Sequence, residues 1–195
     1  MANYKLTNKP IWNTEGAVRC TDGTSFCSAG YIPGDGVLRG SLVRALGLMW
    51  ANGVTNFDYF FLEGGFESWS GLALRKPANS NCQQTINGCL PYMTLTPVGQ
   101  GFAKAGSWMK GKQLMSAYAN STKDVYILKM KTSAGVVSYL IWATGTGKTV
   151  RFPKGWAIKS VESLTGSVST YSYNWRGTGS DVVLNPLEPV MLKTN

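Results

Sequence analysis

Histidine is absent from all 195 residues. Ser-His-Asp and Cys-His catalysis are therefore out of reach, and the commonest zinc ligand is missing. Acid–base chemistry falls to carboxylates, Lys, Tyr or Cys. Among only ten acidic residues, Glu15 has the most suggestive place. It follows the apolar run NKPIWNT, residues 8–14, and precedes Gly16, where the backbone can turn away. Functional residues of parallel α/β sheets collect at the carboxyl ends of strands. A Glu in such a place also serves commonly as a loop residue or a helix cap. Glu63 and Glu67 follow a second apolar run, residues 54–62. If the two runs lie side by side, ~4.8 Å apart, Glu15 and Glu63 come within the roughly 5–9 Å that working carboxylate pairs use. The competing reading of Glu63 and Glu67 is a solvated loop.

The elements that must position these acids follow from periodicity. Residues 8–14 read as a short buried strand with Pro10 near its start. A Gly-rich loop bounded by cysteines follows, and then a helix from Val37 to Gly53 with Val37, Leu38, Leu42, Leu46 and Met49 on one face. Residues 54–62 (VTNFDYFFL) are almost unbroken apolar sequence, as expected of a strand buried on both faces. After a loop of about thirty residues, LTPVGQGFAKAGSWMKGK predicts a second helix over 95–112, with Phe102 and Trp108 towards the core. Strand–helix–strand–helix implies parallel pairing. From Gln113 the period changes. Eight short runs separated by Gly, Asn, Pro or Ser predict an antiparallel β-sandwich. The expected division is 1–111 and 112–195.

The net charge of +9 suggests nucleic acid first, but Lys and Arg are scattered with no run of three. A solvated basic surface is the expectation, with neither nucleic acid nor membrane as partner. No metal or cofactor is expected. Cys20 and Cys27, like Cys82 and Cys89, are too widely spaced for a zinc knuckle. Two local disulfides and a secreted or periplasmic parent protein are the expectation. No signal peptide or spanning segment is legible, so either a leader was removed or the chain is a piece of something longer. The segment ATGTGKT, residues 143–149, has Trp142 where a phosphate loop needs Gly, and joins strand to strand, so a hairpin turn is expected.

Several of these segments together resemble a known group. The strand ending Thr14-Glu15-Gly16, the helix containing RALGLMWANGV, the strand ending FDYF and the helix LTPVGQGFAKAGSWMKG look like the seventh and eighth βα units of clan-A glycosidases. These are the β-xylosidase, iduronidase and glucuronidase families. Their last barrel helix carries T-x-x-G-x-x-[FY]…W-x-x-G, matched by Thr96, Gly99, Phe102, Trp108 and Gly111. Residues 126–153 and the closing strand from Pro186 to Val190 resemble their accessory sandwich. By that resemblance Glu15 is the nucleophile of a retaining glycosidase, attacking the anomeric carbon through an oxocarbenium-like transition state. In these families the acid/base Glu follows the fourth strand, and no segment here corresponds to strands one to six. Glu63 or Glu67 would take that role, or a further segment would supply it.

The resulting expectation is an α+β chain: a partial (β/α) barrel fragment of two parallel strands and two helices, then an antiparallel β-sandwich. Its function is hydrolysis of O-glycosidic bonds by a carboxylate nucleophile. A non-catalytic carbohydrate-binding or structural module and an esterase-like hydrolase stand as alternatives. Trp69, Tyr31 and Trp12 are candidates for stacking on a sugar, although Trp12, like Trp50, also fits the core. Two parallel strands cannot close a barrel. The fragment must therefore pack on the sandwich, on a second copy as a homo-oligomer, or on a missing N-terminal barrel segment.

Overall fold

The computed structural model describes residues 9–16, 35–59, 75–76, 94–95, 97–170 and 180–194. Strands β1 (Ile11–Gly16) and β2 (Val54–Tyr59) pair in parallel, joined through helix α1 (Asp35–Ala51). The two-residue strands β3 (Arg75–Lys76) and β4 (Thr94–Leu95) pair antiparallel before helix α2 (Pro97–Met109). Both helices stop where the sequence places Gly just past the last turn. Gly53 has φ 83° and Gly111 φ 73°, a conformation that costs Gly nothing. Pro97 is the first helical residue of α2, where its missing N–H has no partner to lose.

Eight strands follow: β5 (Lys112–Ala119), β6 (Val125–Thr132), β7 (Val137–Ala143), β8 (Lys148–Phe152), β9 (Ser160–Glu162), β10 (Val168–Thr170), β11 (Ser180–Leu184) and β12 (Val190–Lys193). Six of them form one antiparallel sheet in the order β10-β9-β12-β7-β6-β5. The other two, β8 and β11, form a separate antiparallel ribbon. The fold class is therefore α+β, a partial barrel of two parallel strands and two helices followed by an antiparallel sandwich.

The six-stranded sheet is apolar on both faces, and period-two alternation divides its side chains between two cores. Leu128, Met130, Leu140, Trp142 and Met191 face the helices and pack with Val43, Ala105 and Trp108. Val125, Tyr139, Ile141, Ala143 and Leu192 face the ribbon and pack with Phe152, Val182 and Leu184. Strand β7 is thus sandwiched, with every residue from Ser138 to Ala143 buried. By contrast β2 is not buried on both faces, as its unbroken apolar sequence suggested. Asp58 is exposed and no described residue of β2 is fully buried; the face that carries Asp58 has no described layer against it. Phe102 departs from expectation in the same way, at 37% exposed, while Trp108 is 2% exposed. The 144–147 turn does join strands but is no hairpin. Strand β7 belongs to the large sheet and β8 to the ribbon, so the chain changes layers there.

Two glycines let the layers approach closely. A Cβ at Gly101 would run into the backbone carbonyl of Arg39, where α2 crosses α1. At Gly40 it would overlap the Leu187 carbonyl beside Pro189. That carbonyl also accepts a hydrogen bond from Arg44 Nη1, and burial lowers the Arg44 guanidinium to about 10. Helix α1 therefore has two working faces. Leu38 and Leu42 meet Val98, Phe57 and Tyr59, while Val43 meets the large sheet.

A charged knot ties α2 to the sheet. Glu162 Oε1 pairs with Lys104 Nζ at 2.9 Å and its Oε2 with Lys193 Nζ at 2.8 Å. Burial pushes the Glu162 carboxyl up, but the hydrogen-bonded ammonium groups of Lys193 and Lys104 outweigh it and hold the group at about 2. The ordinary value is 4.5, so the unfolded chain takes up the proton first as pH falls. The contribution is complete above pH 4.5 and is lost as pH falls towards about 2. Glu162→Gln should flatten the pH dependence of the unfolding free energy in that window, by on the order of 2 kcal/mol. Urea unfolding at pH 6 and pH 3 measures it. An equally steep loss in the variant would show that other carboxylates carry the effect.

Candidate functional site

Glu15 lies in the last turn of backbone before β1 ends, one residue further inside the strand than its sequence suggests. The parallel register sets Asn13 against Phe57 and Gly16 against Tyr59, with an irregularity between. Two residues, Thr14 and Glu15, thus stand against one, Asp58. Bulges of this kind recur beside active sites, where they re-aim a side chain.

The two faces of the β1–β2 pair differ in chemistry. Phe57 and Tyr59 point to the helices, where they pack on Leu38, Leu42 and Val98. Asn13 lies on that side too, its Nδ2 donating to Met49 Sδ at 3.4 Å. Alternation puts Trp12, Thr14, Asn56 and Asp58 on the other face. Trp12 is 65% exposed, so its reading as a core residue fails: no described layer covers this face. Trp50 is half-buried and packs at the margin of the helix-facing core. Asn56 Nδ2 donates to both Asp58 carboxylate oxygens at 3.2 Å. The structure therefore adds Asp58 and Asn56 to the residues singled out from sequence. Their signal was available in N-F-D-Y, where aromatic and polar residues alternate at strand period.

The remaining candidates, Glu63, Glu67, Trp69 and Tyr31, lie outside the described residues, as do all four cysteines and the Glu15 side chain. Among the described residues no group of three or more His, Cys, Asp or Glu could hold a metal ion. None of the described helices is long and apolar enough to cross a membrane. A largely apolar groove of about 680 Å³ opens between α1, β2 and α2, lined by Met49, Trp50, Val54, Phe57, Phe102 and Met109 among others.

No protein-family model matches the chain. Nor does any curated protein. Solved structures do. A family 39 glycoside hydrolase from the gut symbiont Bacteroides cellulosilyticus aligns with a TM-score of 0.65 at 15% identity, over 95% of this chain and 34% of its own. The catalytic domain of a family 30 xylanase C from Talaromyces cellulolyticus gives a TM-score of 0.58 at 16% identity, over 96% and 41%. A conserved exported protein from Bacteroides fragilis gives 0.63 at 11% identity, over 95% and 39%. At such identities the likeness is one of fold. The chain spans about a third to two fifths of each neighbour's length.

Proposed function

We propose that this chain carries the last two βα units and the accessory sandwich of a retaining clan-A glycoside hydrolase, with Glu15 as nucleophile. The observation that supports it most is the place of Glu15. It is a carboxylate in a bulge at the carboxyl end of a parallel strand, within a fold whose neighbours include glycoside hydrolases. In the reaction a Glu15 oxygen bonds to the anomeric carbon as the glycosidic C–O bond breaks, and a carboxylic acid gives its proton to the departing oxygen. Water then releases the sugar, losing its proton to the same carboxylate. Glu63 and Glu67 are the acid/base candidates in this chain, with Trp69, Tyr31 and Trp12 stacking on the substrate.

In this reading residues 1–111 are the barrel part and 112–195 the sandwich. The barrel part is completed by further strands, from a second copy or from a preceding segment, along β2 and the apolar groove beside it. An extracytoplasmic location agrees with the Cys20/Cys27 and Cys82/Cys89 pairs and with an exported neighbour. The test is hydrolysis of a panel of aryl glycosides by the full chain, followed by release of the aryl group. The second reading, a carbohydrate-binding module without turnover, is favoured by the exposed indole of Trp12. Binding without hydrolysis across the panel would select it. An esterase would need a triad without His, and nothing among the described residues supports one.

A further inference from the structure

We propose that Asp58 is a substrate-binding residue of this site, accepting a hydrogen bond from a sugar hydroxyl beside Glu15. The inference rests on the reading of the Glu15 edge as a glycoside site, and it names a residue which that reading does not need. Three observations carry it.

The first is register: Asp58 is the residue of β2 that faces the Thr14–Glu15 bulge. Neighbouring parallel strands are ~4.8 Å apart, so a ring held at Glu15 has Asp58 within reach of its hydroxyls.

The second is how the carboxylate is held. Asp124, Glu162 and Asp181 are each engaged by a cation, namely Lys148, the Lys104–Lys193 pair, and Arg151, while Glu188 takes one amide hydrogen bond from Asn185 through a single oxygen. Asp58 is held through both oxygens by the amide of Asn56 and, among the described residues, by no Lys or Arg. Each oxygen has two acceptor sites, so the amide fixes the group and leaves capacity for a hydroxyl donor. The Asn56 amide oxygen accepts as well.

The third is company. Trp12, paired with Asn56 in the register and 65% exposed, presents an indole on the same face. A carboxylate, an amide and an aromatic plane together complement a pyranose, which is polar around its rim and apolar on its C–H faces. A residue placed there only for solubility would need neither the amide nor the bulge opposite.

The test uses the full chain and the aryl glycoside that it cleaves best, together with the analogues of that substrate lacking one hydroxyl each. Asp58→Asn keeps the shape and removes the charge. It should lower kcat/KM about 10- to 100-fold, the range for a hydrogen bond to a charged group. One deoxy analogue should be as poor a substrate for the parent as for the variant, which identifies the hydroxyl bound. A role in folding alone would not select one hydroxyl, and an unchanged urea midpoint excludes it. Unchanged kcat/KM in Asp58→Asn, with Glu15→Gln inactive, overturns the role of Asp58 and leaves the site standing. A parent protein that neither cleaves nor binds any glycoside of the panel, by saturation-transfer NMR, overturns both.

Discussion

A Glu15→Gln protein should fold as the parent does and lose aryl glycoside turnover by about 10⁴-fold or more, the scale on which removing a nucleophile acts elsewhere. Gln matches Glu in volume and keeps one carbonyl oxygen, so the bulge at Thr14–Glu15 is not asked to change. What disappears is the anionic oxygen that bonds to the anomeric carbon. Initial rates on the panel and a urea unfolding midpoint for both proteins measure the two halves of the claim. The shorter Glu15→Ala variant separates a nucleophile from a residue that merely positions substrate. Added azide should restore turnover and release a glycosyl azide of inverted configuration, because the small anion enters where the carboxylate was. Full activity in Glu15→Gln would remove Glu15 from the mechanism.

Trp142→Ala should be among the most damaging single changes to stability, at about 3–5 kcal/mol. Trp142 is 1% exposed and lies flat against Tyr126, with ring centroids 5.1 Å apart and planes 3° from parallel. Its contacts join the large sheet to both helices through the cluster that holds Val43, Ala105 and Trp108. Removing the indole leaves a cavity between the helices and the sheet face they cover, and neither can collapse to fill it without losing its own packing. The urea midpoint should fall with little change in slope. Val183→Ala on the ribbon, 69% exposed, is the matched control and should stay within about 0.5 kcal/mol of the parent. A Trp142→Ala cost below about 1 kcal/mol would mean that the helices and the sheet are held together elsewhere.

The pattern of elements was legible from the residues. Both helices, both parallel strands and all eight later strands fall on segments whose period and turn residues mark them. Asn52-Gly53 and Pro97 sit at helix ends because their backbone preferences are local. The place of Glu15 near the end of β1 was legible because a strand end is also a local property. The parallel pairing followed from the strand–helix–strand order, which needs a crossover.

The failures share one cause: burial depends on what lies across from a face, and period says nothing of that. Apolar content in the runs 54–62 and 137–143 does not say which faces are covered: β7 is covered on both sides and β2, among the described residues, on one. Trp12, which the sequence offered both to a core and to a sugar-stacking platform, is exposed for the same reason. The 144–147 turn was expected to fold β8 back on β7, whereas the two strands lie in different layers, since turn chemistry fixes a reversal and not a partner. Asp58 was passed over because a lone acid in an apolar run gains meaning only through its register with the bulge. The sequence by itself determined which of the longer segments are helix or strand and which acid stands near the end of β1, because these follow from neighbours along the chain, whereas the short β3–β4 pair lies where a loop was expected. Tertiary structure alone decided the sheet order, the two faces of β7 and the register that sets Asp58 against the Thr14–Glu15 bulge, because these relate residues far apart in sequence.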